Sequence, residues 1–207
     1  MKQLNLKKDQ DKLRQKFLRS GVKMIGPETI YFSKDIKIGK NVTIEPYVVF
    51  GSKVTIGNNA LIKSFSYLES CIIKDKVEIG PYARIRPNTV LEKGSKVGNF
   101  VEVKKSKIGK NSKVNHLTYI GDAKIGHNVN VGAGTITCNY DGVKKSKTKI
   151  KNNVFIGSNS SLVAPLTIEE NSVIGAGSVI TKKVKKNSLA LTRSLQTEVK
   201  NYKRKSK

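Results

Sequence analysis

From Ile38 onward an apolar side chain returns about every sixth residue: Ile44, Phe50, Ile56, Ile62 and Leu68. After a five-residue step the beat resumes at Ile73, Ile79, Ile85, Leu91, Val97 and Val103, then Ile108, Val114 and Ile120, then Ile125 and Val131. A smaller residue often follows four places on (Val42, Val48, Val54, Ala60), and a glycine often follows directly, as in Ile56-Gly57 and Ile108-Gly109. An α-helix cannot hold a six-residue period on one face, whereas one short strand and one turn per repeat can. The aliphatic then points inward, and the polar residues and glycines make the corners. The fold class expected is all-β, a parallel β-helix whose coils stack roughly 4.8 Å apart through backbone hydrogen bonds. At three repeats per coil, the series predicts on the order of eight coils and a prism roughly 40 Å tall. The period does not give the handedness.

Interruptions in the beat mark the domain organisation. Residues 1–26 carry Leu4, Leu6, Leu13, Phe17 and Leu18 among charges, a helical pattern closed by Gly21 and Gly26-Pro27. The prism is expected over 27–184. Within it the stretch 138–149, CNYDGVKKSKTK, is too polar for a core strand and reads as an extruded loop. The beat returns through Ile150, Ile156, Leu162, Ile168, Ile174 and Ile180, and residues 185–207 form a basic C-terminal tail. Open ends of repeat stacks need covers, and the helix and the exit segment are the candidates.

A formal net charge of +25 invites a nucleic-acid partner. Against it, only six of the 40 basic residues are arginine, tryptophan is absent, and the lysines are scattered along the chain. A solvated lysine surface that favours small anionic substrates is the expectation, with no nucleic acid bound. No run approaches the roughly 20 apolar residues of a membrane span, and the N-terminus has no apolar signal-peptide core. A cytoplasmic protein is expected. Cys71 and Cys138 have neither metal-ligand spacing nor a disulfide framework, which agrees with a reducing compartment.

Titratable groups concentrate in one zone. Gly98–Gly142 gathers Glu102, the pair Lys104 and Lys105, His116, Tyr119 and several asparagines onto the regular frame. His116 is one of two histidines; histidine is the side chain best suited to exchange a proton near neutral pH. The motifs RIRP, GNFVE-KK, NHLTYIGD and GAGTITCNYDG in this zone closely resemble the acetyltransferase half of the bacterial bifunctional glucosamine-1-phosphate N-acetyltransferase / N-acetylglucosamine-1-phosphate uridyltransferase family. The likeness runs from about Gly21 to Arg193 and is densest from Gly80 to Gly142. It departs at Ser194-Leu195, and no counterpart of the family's nucleotidyl-transferring half occurs in these residues, so neither that reaction nor its magnesium is expected.

The resemblance implies a left-handed β-helix and a homotrimer with sites between neighbouring prisms. It implies acetyl transfer from acetyl-CoA to the amine of glucosamine 1-phosphate, a step towards UDP-N-acetylglucosamine, peptidoglycan and lipopolysaccharide. His116 takes the position of the general base, which must remove a proton because an ammonium has no lone pair to attack a thioester. Glu102 would orient His116 or the amine. Arg86, Lys104 and Lys145 match the sugar-phosphate contacts, with Arg86 suited to a phosphate fork; Tyr119 and Asn130 match the sugar contacts. For acetyl-CoA the matching positions are Ala133, Asn139, Tyr140, Ser158, Ala176 and Arg193, with Asn139 or a nearby N–H as an oxyanion donor. No metal is implied for acetyl transfer.

Other readings differ in what they need. Cys138 offers an acetyl-cysteine route but has no evident base in its own loop. A different amino-sugar acceptor would use the same scaffold. A zinc carbonic anhydrase of this shape wants three histidines, and the chain has two. A non-catalytic basic solenoid would show salt-dependent binding to polyanions and no turnover.

Overall fold

The computed structural model describes residues 7–204. Leu4 and Leu6 of the N-terminal pattern and the final residues 205–207 of the basic tail lie outside the described residues.

The six-residue beat builds a prism with three parallel sheets of ten, nine and eight strands as its faces, about nine coils in all. The chain visits the faces in turn: Glu78–Ile79 on the first, Arg84–Ile85 on the second, Thr89–Leu91 on the third. Each strand pairs in parallel with those one coil below and above, so Ile62, Ile79, Val97 and Val114 stand in register. All four are buried, as are their counterparts on the other faces, and the core is a set of columns of like residues. Strands of two to four residues suffice because each turns at a corner where a left-handed residue recurs. Asparagine is the commonest non-glycine residue at these positive φ values, the residue type besides glycine that tolerates them most readily. At the corner between the third and first faces, the carboxamides of Asn128, Asn153, Asn171 and Asn187 form a ladder with steps of 3.3, 3.1 and 3.1 Å.

The prism is longer at both ends than the beat suggests. Its first strand is Lys23–Met24, ahead of residue 27, and the eight-residue step from Met24 to Phe32 passes over a 3₁₀ turn at Pro27–Thr29. Its last is Leu189–Ala190, which pairs with Val173–Ile174 beyond residue 184. The extruded segment is 139–147, between Ile136–Cys138 and Thr148–Ile150. Among the described residues no helix is long and apolar enough to cross a membrane.

The helix Lys7–Arg19 closes the lower end by imitating a strand. The Gln10 carboxamide donates to Phe32 O and accepts from Phe32 N, both at 2.8 Å, while Arg14 donates to the carbonyls of Ile30 and Glu28. Phe17 packs on Phe32 with ring centroids 5.0 Å apart. The free backbone groups of Phe32 and Ile30 on the second face are thereby satisfied, which covers that strand's open edge. Gln10→Leu strips two buried partners and is expected to cost about 3 kcal/mol of stability, read as a lowered midpoint of denaturant unfolding. An unchanged midpoint would deny the helix this role.

Candidate active site

His116 closes the strand Lys113–His116 at the corner between the first and second faces. Its Nδ1 lies 2.7 Å from Oδ1 of Asn99, its register partner one coil below. An amide oxygen only accepts, so Nδ1 carries the proton and the Nε2 lone pair is left free. The ring is exposed. Sequence reasoning missed Asn99, which lies 17 residues back and becomes a neighbour only through coil stacking.

Above His116 the same corner carries only small residues. Successive coils place Ala133, Ser158 and Ala176 over it, tied by Gly134 N to His116 O, Asn159 N to Ala133 O and Gly177 N to Ser158 O at 3.3, 2.7 and 2.8 Å. Gly132 and Gly157 flank this column, and a Cβ on Gly132 would meet Ser158 N at 2.6 Å, so the coils close up only without one. Arg193 lies at the top, with Nη2 3.6 Å from where a Cβ on Gly175 would stand. Its backbone is four coil spacings, on the order of 19 Å, above the level of His116. Below His116 the corner is apolar instead. Tyr47, Phe65, Tyr82 and Phe100 stack with centroids 5.0, 4.8 and 5.1 Å apart, exposed, and Leu117 continues the ridge.

The second face holds the cations. Glu102 and Tyr119 are register partners there, and Arg86 Nη1 donates to Glu102 Oε1 at 2.7 Å, which raises the Arg86 pKa. Glu102 thus meets Arg86, while His116 takes Asn99. Lys104 emerges from the same strand as Glu102. Lys145 reaches it from the extruded segment, and the Lys145 ammonium holds the Lys104 pKa below the ordinary lysine value. Two ammoniums held together, with Arg86 beside them, form a site that an anion would relax. Asn130 stands round the corner on the first face, between Lys113 and Phe155.

The extruded segment is a compact hairpin. Tyr140 and Lys145 form its antiparallel rung, the Asp141 carboxylate accepts from the N–H groups of Val143 and Lys144 at 2.9 and 2.8 Å, and Gly142 turns at φ 99°. The Asp-Gly pair is the sequence signal for such a turn. Asn139 at its base is buried, and its Nδ2 donates to Asp122 Oδ2 at 2.6 Å, so one of its two N–H donors serves the loop anchor. Cys138 is half-buried beside it, with no base within reach among its hydrogen-bond partners. Cys71 lies in the core, and burial pushes its thiol up to about 12. His127 is exposed at another corner, away from His116.

The sequence is 52% identical over 187 residues to the "Bifunctional protein GlmU" of Zymomonas mobilis and 51% identical to that of Wolbachia pipientis wMel, with 90% of this chain covered in each case. The GlmU protein of Agrobacterium fabrum is 54% identical over 187 residues. The chain belongs to this family, as a homologue of the C-terminal half of GlmU. It spans 42%, 44% and 41% of the length of these three relatives. Profiles agree with the repeat: "Bacterial transferase hexapeptide (six repeats)" matches residues 35–70 and 147–182, and "GMPPB C-terminal domain" matches 67–156. The prism is accordingly a left-handed parallel β-helix of hexapeptide repeats. Among solved structures, the UDP-N-acetylglucosamine acyltransferase of Francisella novicida superposes with a TM-score of 0.57 at 16% identity, over 78% of this chain and 62% of that one, a likeness of fold.

Proposed function

We propose that this GlmU relative transfers acetyl from acetyl-CoA to the amine of glucosamine 1-phosphate, giving N-acetylglucosamine 1-phosphate and CoA. The observation that carries the reading is one juxtaposition. A histidine with a free Nε2 stands at the foot of a small-residue column, and a cluster of three cations occupies the adjoining face.

Each part has a use in that reaction. The phosphate settles among Arg86, Lys104 and Lys145, replacing their mutual repulsion with attraction. Tyr119 and Asn130 supply neutral hydrogen bonds to the sugar. The thioester's pantetheine arm lies against Ala133, Ser158 and Ala176, where no side chain obstructs it, and Arg193 meets a CoA phosphate at the far end. Tyr140 and the base of the hairpin close the acetyl end. His116 Nε2 takes a proton from the amine as its lone pair attacks the thioester carbonyl; the C–N bond forms, the C–S bond breaks, and the proton passes on to the departing thiolate or to water. Asn99 keeps the imidazole in the accepting tautomer. Holding both substrates at one corner supplies the proximity that direct transfer requires.

The same reading makes the protein a cytoplasmic homotrimer that feeds UDP-N-acetylglucosamine, peptidoglycan and lipopolysaccharide synthesis. The exposed ridge of Tyr47, Phe65, Tyr82, Phe100 and Leu117 beneath His116 supports assembly, since it is the kind of apolar surface a neighbouring prism would cover. Loss of the phosphate contacts tests the acceptor. Lys104→Ala and Lys145→Ala are each expected to raise KM for glucosamine 1-phosphate about 10- to 100-fold, the worth of a charge-assisted hydrogen bond. KM for acetyl-CoA should hardly move. Unphosphorylated glucosamine should be a poor acceptor that neither change makes worse. An unaltered KM for the phosphorylated sugar in both variants would refute this assignment.

A further inference from the structure

Asp122 lies outside the motif roles above, yet it sits where the pieces of the phosphate site are joined. It occupies the corner between the second and third faces at φ 49° and is nearly buried. Its N–H donates to the carbonyl of Lys104 in the coil below at 3.1 Å, and its carbonyl accepts from Thr148 N, where the hairpin re-enters the prism, at 3.3 Å. Its carboxylate accepts from Asn139 Nδ2, where the hairpin leaves, at 2.6 Å. Lys105 Nζ stands 3.7 Å from the other carboxylate oxygen. One residue therefore touches the strand that carries Lys104 and both feet of the hairpin that carries Lys145.

The alternatives for those feet are few. Asn139 N turns back to Thr137 O, and Ser146 N bonds to Asn139 O, so the hairpin is stitched to itself and hangs from its base. Of the hydrogen bonds at that base, the one from Asn139 to Asp122 joins side chains, and its acceptor is charged and shielded from water. That makes it stronger than a neutral backbone bond and costly to leave unmade.

We infer that Asp122 is a positioning residue which, by clamping the hairpin base, sets the distance between Lys145 and Lys104 and the placement of Tyr140. This rests on the functional reading above for its kinetic consequence, though not for the clamp itself. A loosened hairpin would spread the cation pair and blunt the acetyl end together, so both substrates would suffer.

Limited trypsin digestion of the full chain reads the clamp without any activity, since Lys144, Lys145 and Lys147 all lie in the hairpin segment. Asp122→Ala is expected to speed cleavage there about tenfold or more, through easier local opening. In the same variant KM should rise for both substrates while kcat changes little. Asp122→Asn keeps an acceptor for Asn139 Nδ2 and should restore most of both readouts, which a generic packing defect would not do. Asn139→Asp, which sets two carboxylates against each other, gives the same test from the other side and should cleave faster still. Wild-type cleavage rates in Asp122→Ala and Asn139→Asp would overturn the clamp. Faster cleavage with KM unchanged for both substrates would keep the clamp and overturn its role in the site. If the wild-type protein transfers no acetyl group, the functional reading falls, and the cleavage rates still decide the clamp.

Discussion

Replacing His116 with alanine is expected to lower kcat by about 10²–10⁴-fold, the usual worth of a general base. KM for either substrate should change little, because the ring contributes to proton transfer rather than to holding the phosphate or the pantetheine arm. Asn99→Ala offers a graded comparison. It leaves the ring in place but frees its tautomer and orientation, and a misplacement of this kind costs up to about 10² in rate. A His116→Ala enzyme with full kcat would keep the reaction and discard the mechanism, turning attention to Cys138 or to solvent as the base.

The second large effect concerns the scaffold. Gly109 follows Ile108, and a Cβ there would stand 2.0 Å from Gly126 O and 2.3 Å from its carbonyl carbon, both backbone atoms of the next coil. The same collision recurs where Gly39 meets the coil at Gly57, and where Gly57 meets it at Asp75. At these positions glycine after the inward aliphatic leaves room for the close approach of the next coil's backbone. Gly109→Ala has to push two coils apart and break the ladder between them, at a cost on the order of 4 kcal/mol. For a chain of this size that lowers Tm by on the order of 10 °C, measurable by circular dichroism. A wild-type Tm would mean that the coils can slide apart locally, contrary to the tight stacking described.

These two predictions differ in how far the sequence announces them. Ile108-Gly109 belongs to a visible pattern, and the prism, its inward columns and the position of the extrusion all follow from that beat. The first coil escapes it because the Pro27–Thr29 turn stretches one step to eight residues. The hairpin reads as a loop because its order comes from Asp141 accepting local N–H groups and from one rung, neither of which leaves a period. The candidate site residues follow from motif likeness, but their partners do not. Asn99 beneath His116 and Asp122 beneath Asn139 are each 17 residues from the group they hold. That interval means nothing until the coil length is known. The contact of Lys104 with Lys145 is harder still, since the hairpin breaks the coil arithmetic between them.

The measurement that bears most directly on the central claim is CoA release from acetyl-CoA by the wild-type protein, with and without glucosamine 1-phosphate. Release should depend on the sugar phosphate and match N-acetylglucosamine 1-phosphate mole for mole. A folded protein that releases CoA no faster with this acceptor than without it would contradict the claim.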